Sequence, residues 1–132
     1  MNEKLKEDGS LDVVQNSGFT KTGEFQTDKY IKKSDEEETW QPRFVYHGFR
    51  YAQIEGLASK PDLSCATAVF LHTAVNEIGQ FSCSDEIINQ IQKNTRMATY
   101  SNMYGLLTDS PHREKNAWTG DTNVSTEQML FN

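Results

Sequence analysis

Apolar and polar residues alternate over roughly the first eighty positions and recur at helical spacing from Ser82 onward, so the chain divides into two regimes. In the first, Glu24–Ile31 alternates, with Phe25, Thr27 and Ile31 on one side and polar groups opposite. A charged run, Lys32 to Glu38, follows and reads as a solvated loop. Trp40-Gln41-Pro42 then leads into Arg43–Ile54, rich in aromatic and β-branched residues, where Gly48 marks a candidate bulge. After a turn-like Gly56–Ser64 stretch, Thr67–Val75 is a short apolar run of strand length. Strands at this spacing with turns between them predict a β-sandwich.

The second regime opens with Ser84 as a candidate N-cap, followed by Asp85 and Glu86 where the helix dipole favours acids. Ile87, Ile88, Ile91, Thr95 and Ala98 recur on one face and predict a helix to about Tyr100. A loop holding Gly105, Pro111 and Gly120 comes next, and Asp121–Phe131 predicts a second helix with Val124, Gln128 and Phe131 roughly aligned. That helix meets Asn132 without a Gly, Pro or basic last turn, the pattern of a piece of a longer protein. The first regime has too few strands for a two-sheet sandwich, and the second too few helices for a bundle.

Composition narrows the function classes. There are 19 acidic against 13 basic residues, a formal charge of −6, and no basic stripe, which argues against a nucleic-acid partner. No apolar run approaches the roughly 18 residues of a membrane span. The first residues, Met1 to Glu7, carry charge where a signal peptide needs an apolar stretch, which favours a cytoplasmic chain. Cys65 and Cys83 are expected as reduced, partly buried thiols, and neither has the neighbours of a zinc site. His47 and His72 sit in strand patterns and read as packed or surface residues, and the Asn123-Val124-Ser125 sequon lies on a predicted helix, which discounts glycosylation there.

The densest chemistry lies between Thr108 and Asp121, where Asp109, His112, Arg113, Glu114, Trp118 and Asp121 crowd around Pro111 and Gly120. Cleaving a glycosidic bond needs a proton for the leaving oxygen and stabilisation of an oxocarbenium-like transition state. A carboxyl group serves as that acid when burial or neighbouring negative charge favours its protonated form. Asp109 and Asp121 could supply such charge for Glu114, and Arg113 would act in the opposite sense. Further carboxylates grip vicinal hydroxyls, and an aromatic face such as Trp118 packs against sugar C–H groups. Purely structural roles fit the same residues: Asp121 as a helix cap, Asp109 as an organiser of the Pro111 turn, Arg113 and Glu114 as surface charge, Trp118 as a core anchor.

A resemblance breaks this tie. The run Asp109-Ser-Pro-His-Arg-Glu-Lys-Asn-Ala-Trp-Thr-Gly-Asp121 resembles the acidic motif of bacterial α-L-rhamnosidases, Asp-Cys-Pro-(Gln/His)-Arg-Glu-(Arg/Lys)-Leu-Gly-Trp-Thr-Gly-Asp. Upstream, Trp40-Gln-Pro-Arg-Phe-Val-Tyr-His-Gly-Phe-Arg-Tyr51 is similar to a strand of that family, and Gly79 to Ile91 to its linker helix. The similarity covers nearly the whole chain in the family's order.

The resemblance implies an α+β chain. Residues 1–80 would be the C-terminal part of a β-sandwich domain, and 81–132 the linker helix and start of an (α/α) six-hairpin barrel, the catalytic domain. It implies Glu114 as the general acid, with Asp109 and Asp121 binding rhamnose hydroxyls and tuning that acid. Arg113, Trp118 and His112 would line the same subsite. It implies inversion at the anomeric carbon, with the water-activating base downstream of Asn132, so that the fragment alone would be inactive. The implied partner is a rhamnose-containing glycoside or polysaccharide, with no metal and no cofactor. Two departures stand out: Ser110 for the motif's Cys, and Asn116-Ala117 for its Leu-Gly, which puts the placement of Trp118 in question. Competing readings are a non-catalytic carbohydrate-binding module and a related glycosidase with another sugar specificity.

Overall fold

The computed structural model describes residues 1–12 and 26–132, and the chain divides into two compact units, Met1–Asp62 and Leu63–Asn132. The Phe25 end of the predicted Glu24–Ile31 strand lies outside the described residues.

In the first unit, the expected strands are not realised as ladders. Pairing among the described residues is confined to two isolated antiparallel bridges, Asn2 with Tyr51 and Leu5 with Leu11. The second closes a turn that Asp8 and Gly9 make possible. Gly9 adopts φ +82°, and Asp8 accepts from the Ser10 backbone N–H at 2.9 Å and from its hydroxyl at 2.7 Å. These bonds hold the Asp8 carboxyl below the usual carboxylate range, the Ser10 hydroxyl contributing most. Within Arg43–Ile54, Phe44 sits at φ +60° and is almost fully exposed, so alternation does not become a strand there. A ladder needs a neighbour to pair with its N–H and C=O groups, and here Arg50 and Tyr51 meet the Asn2 backbone without the pairing extending into a ladder among the described residues. Gly48, the expected bulge, instead pairs with a side chain: its N–H donates to Gln26 Oε1 at 3.1 Å and its carbonyl accepts from Gln26 Nε2 at 2.9 Å. Gln26 is buried, and so is Asn2. His47 sits 2.8 Å from Asp28 through Nε2.

The charged run 32–38 is an exposed loop, as expected, and Glu38 organises it. Glu38 accepts from the backbone N–H groups of Lys33 (3.0 Å) and Ser34 (2.9 Å) and from the Tyr30 hydroxyl. Tyr30 in turn stacks on Trp40 with ring centroids 5.3 Å apart. The Tyr30 bond first, and the backbone donors after it, hold the Glu38 carboxyl down to about 2.

The second unit carries the regular structure. The expected Thr67–Val75 strand is absent; a 3-10 turn at Leu63–Cys65 precedes an irregular segment. Helix α1 spans Glu86–Ser101 and starts one residue later than Ser84 as cap would set it. Asp85 is the N-cap, accepting from Ile87 N–H at 2.8 Å and Ile88 N–H at 3.4 Å. Asn89 fixes the entry, donating to Cys83 O at 2.8 Å and accepting from Cys83 N–H at 2.9 Å. A carboxylate at the positive end of the helix dipole is the stronger cap. At the other end, Ser101 and Asn102 bond back to Met97 O (2.8 Å) and Ala98 O (3.0 Å), competing with continuation of the helix.

Beyond α1, a minimal antiparallel hairpin pairs β1 (Met103–Tyr104) with β2 (Leu106–Leu107), register Met103 to Leu107. Gly105 reverses the chain at φ +79°, a conformation that favours glycine. Helix α2 spans Thr119–Leu130, two residues earlier than predicted, which puts Gly120 inside its first turn rather than in the loop. Its far end returns to the segment before α1: Ile78 and Gly79 N–H both donate to Asn132 O at 3.1 Å. A Cβ on Gly79 would fall 1.8 Å from Phe131 O, so glycine is required for this approach.

No hydrophobic side chain is buried among the described residues. The predicted face of α1 forms but stays uncovered, with Ile87 72% and Ile91 58% exposed. For the same reason Cys65 and Cys83, expected to be partly buried, are exposed free thiols. No helix is long and apolar enough to cross a membrane, and no cluster of three metal-binding side chains occurs among the described residues.

Candidate active site

The loop between β2 and α2 holds the residues singled out from Thr108 to Trp118, and Asp121 follows in the first turn of α2. It is closed at its base by backbone and side chain together. Asp109 N–H donates to Asn116 O at 3.0 Å, and Asp109 Oδ1 accepts from Asn116 N–H at 2.9 Å. Asn116 O also accepts from Trp118 N–H at 3.0 Å. Asn116, which stood out in the sequence only as a departure from the motif, is therefore the hub of the loop. It acts through its backbone, so its side chain carries no signal.

Ser110 turns out to have a function that follows from its chemistry. Its hydroxyl donates to Asp109 Oδ2 at 2.9 Å, so both Asp109 oxygens are occupied and the carboxylate is fixed. A thiol is a weaker donor at that position. The second departure, Ala117 in place of glycine, falls at a position whose φ does not call for glycine. The left-handed residue of the loop is Lys115 at φ 56°, and Ala117 is not among the positive-φ residues.

That geometry delivers Trp118 to Glu114. The indole Nε1–H donates to Glu114 Oε2 at 2.9 Å, across four residues. Glu114 is half-buried, and Trp118, at the N-cap position of α2, is 51% exposed and so is no core anchor. An indole N–H only donates, so Oε2 is held as an acceptor and a proton carried by Glu114 sits on Oε1. Arg113 and His112 pair with each other, Arg113 Nε donating to His112 Nε2 at 2.9 Å. Arg113 is exposed and His112 half-buried.

Asp121 stays apart, exposed in the first turn of α2. It is not the cap of that helix, although an acid in that turn is favoured by the dipole. No hydrogen bond among the described residues ties it to Asp109 or Glu114. The loop thus brings together Asp109, Glu114 and Trp118, and leaves Arg113, His112 and Asp121 around them.

Comparison with known proteins matches the sequence of this chain to one family. Residues 1–72 match the family model for the bacterial alpha-L-rhamnosidase concanavalin-like domain, and residues 76–132 that for the bacterial alpha-L-rhamnosidase 6 hairpin glycosidase domain. An alpha-L-rhamnosidase of Formosa agariphila is 40% identical over 116 residues, covering 88% of this chain and 12% of the relative. A second from the same organism is 38% identical over 109 residues, 80% of this chain and 12% of the relative. One from Streptomyces avermitilis is 36% identical over 99 residues, 74% of this chain and 10% of the relative. The chain therefore spans 12% or less of the length of these relatives. No solved structure matches it. With two consecutive domain matches covering nearly all of its residues, the chain belongs to the bacterial α-L-rhamnosidase family.

Proposed function

We propose that this chain supplies the acid half of the active site of an inverting α-L-rhamnosidase. The observation that carries the reading is the Glu114 carboxyl group, held through Oε2 by the Trp118 indole in a loop closed by Asp109 and Asn116. Glu114 is the general acid: Oε1 delivers the proton to the leaving oxygen as the bond to the anomeric carbon breaks. Asp109, fixed on both oxygens, and Asp121, exposed at the start of α2, accept hydrogen bonds from rhamnose hydroxyls. Trp118 offers its ring to the sugar C–H face, and Arg113 and His112 border the same subsite.

In an inverting enzyme a second carboxylate activates water from the opposite face, about 6.5–9.5 Å from the acid. We assign that base to a part of the enzyme outside this chain, so the 132 residues alone do not turn over. The same reading places the end of a β-sandwich at about residue 80 and the start of an (α/α) six-hairpin barrel after it. The uncovered Ile87 and Ile91 face of α1 is suited to packing against further helices of such a barrel.

The test uses the intact enzyme on a panel of aryl glycosides. Hydrolysis confined to α-L-rhamnosides, with the β anomer of rhamnose seen first by early-time NMR, is expected. Release of the α anomer would overturn inversion, and preference for another sugar would overturn the substrate assignment.

A further inference from the structure

We propose that Thr73 is a positioning residue for the acid loop, an inference that rests on the reading of Glu114 as the acid. Thr73 lies between the two domain matches, which end at residue 72 and resume at residue 76, so neither motif contains it. Its backbone N–H donates to Met103 O at 2.6 Å, and its side-chain Oγ1 accepts from Gly105 N–H at 2.9 Å. One residue thus grips both β1 and the glycine that reverses the hairpin. At the mouth of the hairpin, Thr108 N–H donates to Asn102 O at 2.8 Å, and the next residue is Asp109. From there the Asp109–Asn116 closure leads to Trp118 and Glu114.

The segment around Thr73 is itself anchored on α1 from both sides. Before it, the His72 ring stacks on Tyr100 with centroids 4.6 Å apart and planes 19° from parallel. After it, Glu77 accepts from the Tyr100 hydroxyl at 2.7 Å and pairs with Arg96 at 2.5 Å. The Tyr100 bond, then Arg96, holds the Glu77 carboxyl below the usual carboxylate range, so the clamp is charged at neutral pH. Tyr100 serves both anchors. Gly105 is exposed and has no side chain of its own to fix it, so the Thr73 hydroxyl is what ties the tip of the hairpin to this clamped segment.

A hairpin freed at its tip lets the start of the acid loop move. Misplacement by a fraction of an ångström lowers turnover more than binding. The experiment compares Thr73→Val, which keeps the shape and removes the hydroxyl, with Thr73→Ser, which keeps the hydroxyl. In the intact enzyme, Thr73→Val is expected to lower kcat on an aryl rhamnoside roughly threefold to tenfold at nearly constant KM. Thr73→Ser restores it. Amide exchange across residues 103–109, followed by mass spectrometry, quickens in the valine variant and not in the serine variant.

Unchanged kcat and exchange in Thr73→Val, or equal impairment in both variants, overturns the assignment. If the valine variant does not fold, Thr73→Ala against the same serine control makes the comparison. Glu114→Gln is measured alongside. Full turnover there removes the acid reading, whereas the exchange data, which need no turnover, decide separately whether Thr73 holds the hairpin.

Discussion

Helix α1 leads into the hairpin and loop that carry the candidate site, and its start hangs on one side chain. Asp85 accepts from the Ile87 and Ile88 N–H groups, two of the four donors that a helix start leaves without intrahelical partners. Replacing Asp85 with Ala removes the acceptor and exposes both donors to water alone. Loss of such a cap costs about 1 kcal/mol, within a range of about 0.5–2. The charge–dipole part is about 0.3–1 kcal/mol at an exposed site, so Asp85→Asn, which keeps the oxygen, recovers much of the loss. About 1 kcal/mol corresponds to roughly fivefold in a local opening equilibrium. Amide exchange of Ile87 and Ile88 by NMR is therefore expected to quicken about fivefold in Asp85→Ala and much less in Asp85→Asn. Ser84→Ala is the control, because the hydroxyl that the sequence suggests as cap lies one position too early. If Ser84→Ala quickens exchange and Asp85→Ala does not, the helix begins a residue sooner and the capping argument is wrong.

Three other outcomes follow from the same contacts. Glu38 is depressed from 4.5 to about 2, so its contribution to the 30–40 loop is fully present above pH 4.5 and is lost as pH falls through about 2. Carboxyl NMR titration with Trp40 fluorescence checks this, and titration of Glu38 near 4.5 contradicts it. Gly79→Ala puts a methyl against the Phe131 backbone, an overpacking of about 1–3 kcal/mol. The Ile78 and Gly79 amides should lose protection, and unchanged protection would mean the close approach is not made in solution. Trp118→Phe keeps an aromatic face but removes the donor to Glu114, and is expected to lower kcat of the intact enzyme about tenfold. Wild-type turnover in that variant would show that the indole N–H does not orient the acid.

What the sequence disclosed, it disclosed through local rules. The i, i+3, i+4 spacing from Ile87 to Ala98 located α1 to within a residue or two at each end. The family resemblance carried by Asp109–Asp121 and Trp40–Tyr51 is borne out by the two domain matches. The strand patterns before Ser82 did not become ladders among the described residues, because alternation states which face a strand would bury and not which strand pairs with it. The Leu5–Leu11 turn was readable from Asp8-Gly9, a strong hairpin signal that the periodicity of longer runs overshadowed. Glu38 was hidden inside a charge run, since acidity alone does not tell a solvated carboxylate from one that gathers backbone donors. At the site, the motif supplied the side chains. The closure through Asn116 and the grip of Thr73 on Gly105 each pair one side-chain oxygen with a backbone N–H that any residue possesses, and periodicity does not say which side chain meets which amide.

The proposed role of Glu114 as proton donor to the leaving group decides how the rest of the loop is read. It is tested most directly by Glu114→Gln in the intact enzyme, assayed on aryl α-L-rhamnosides whose leaving phenols span a wide range of acidity. A general acid contributes about 10²- to 10⁴-fold where the leaving group needs protonation and little where it does not. A loss of that size is expected on the poorest leaving group, shrinking toward wild-type rates on the best, in a variant that melts like the parent. A loss that is the same for every phenol, or near-normal turnover on the poorest, would contradict it.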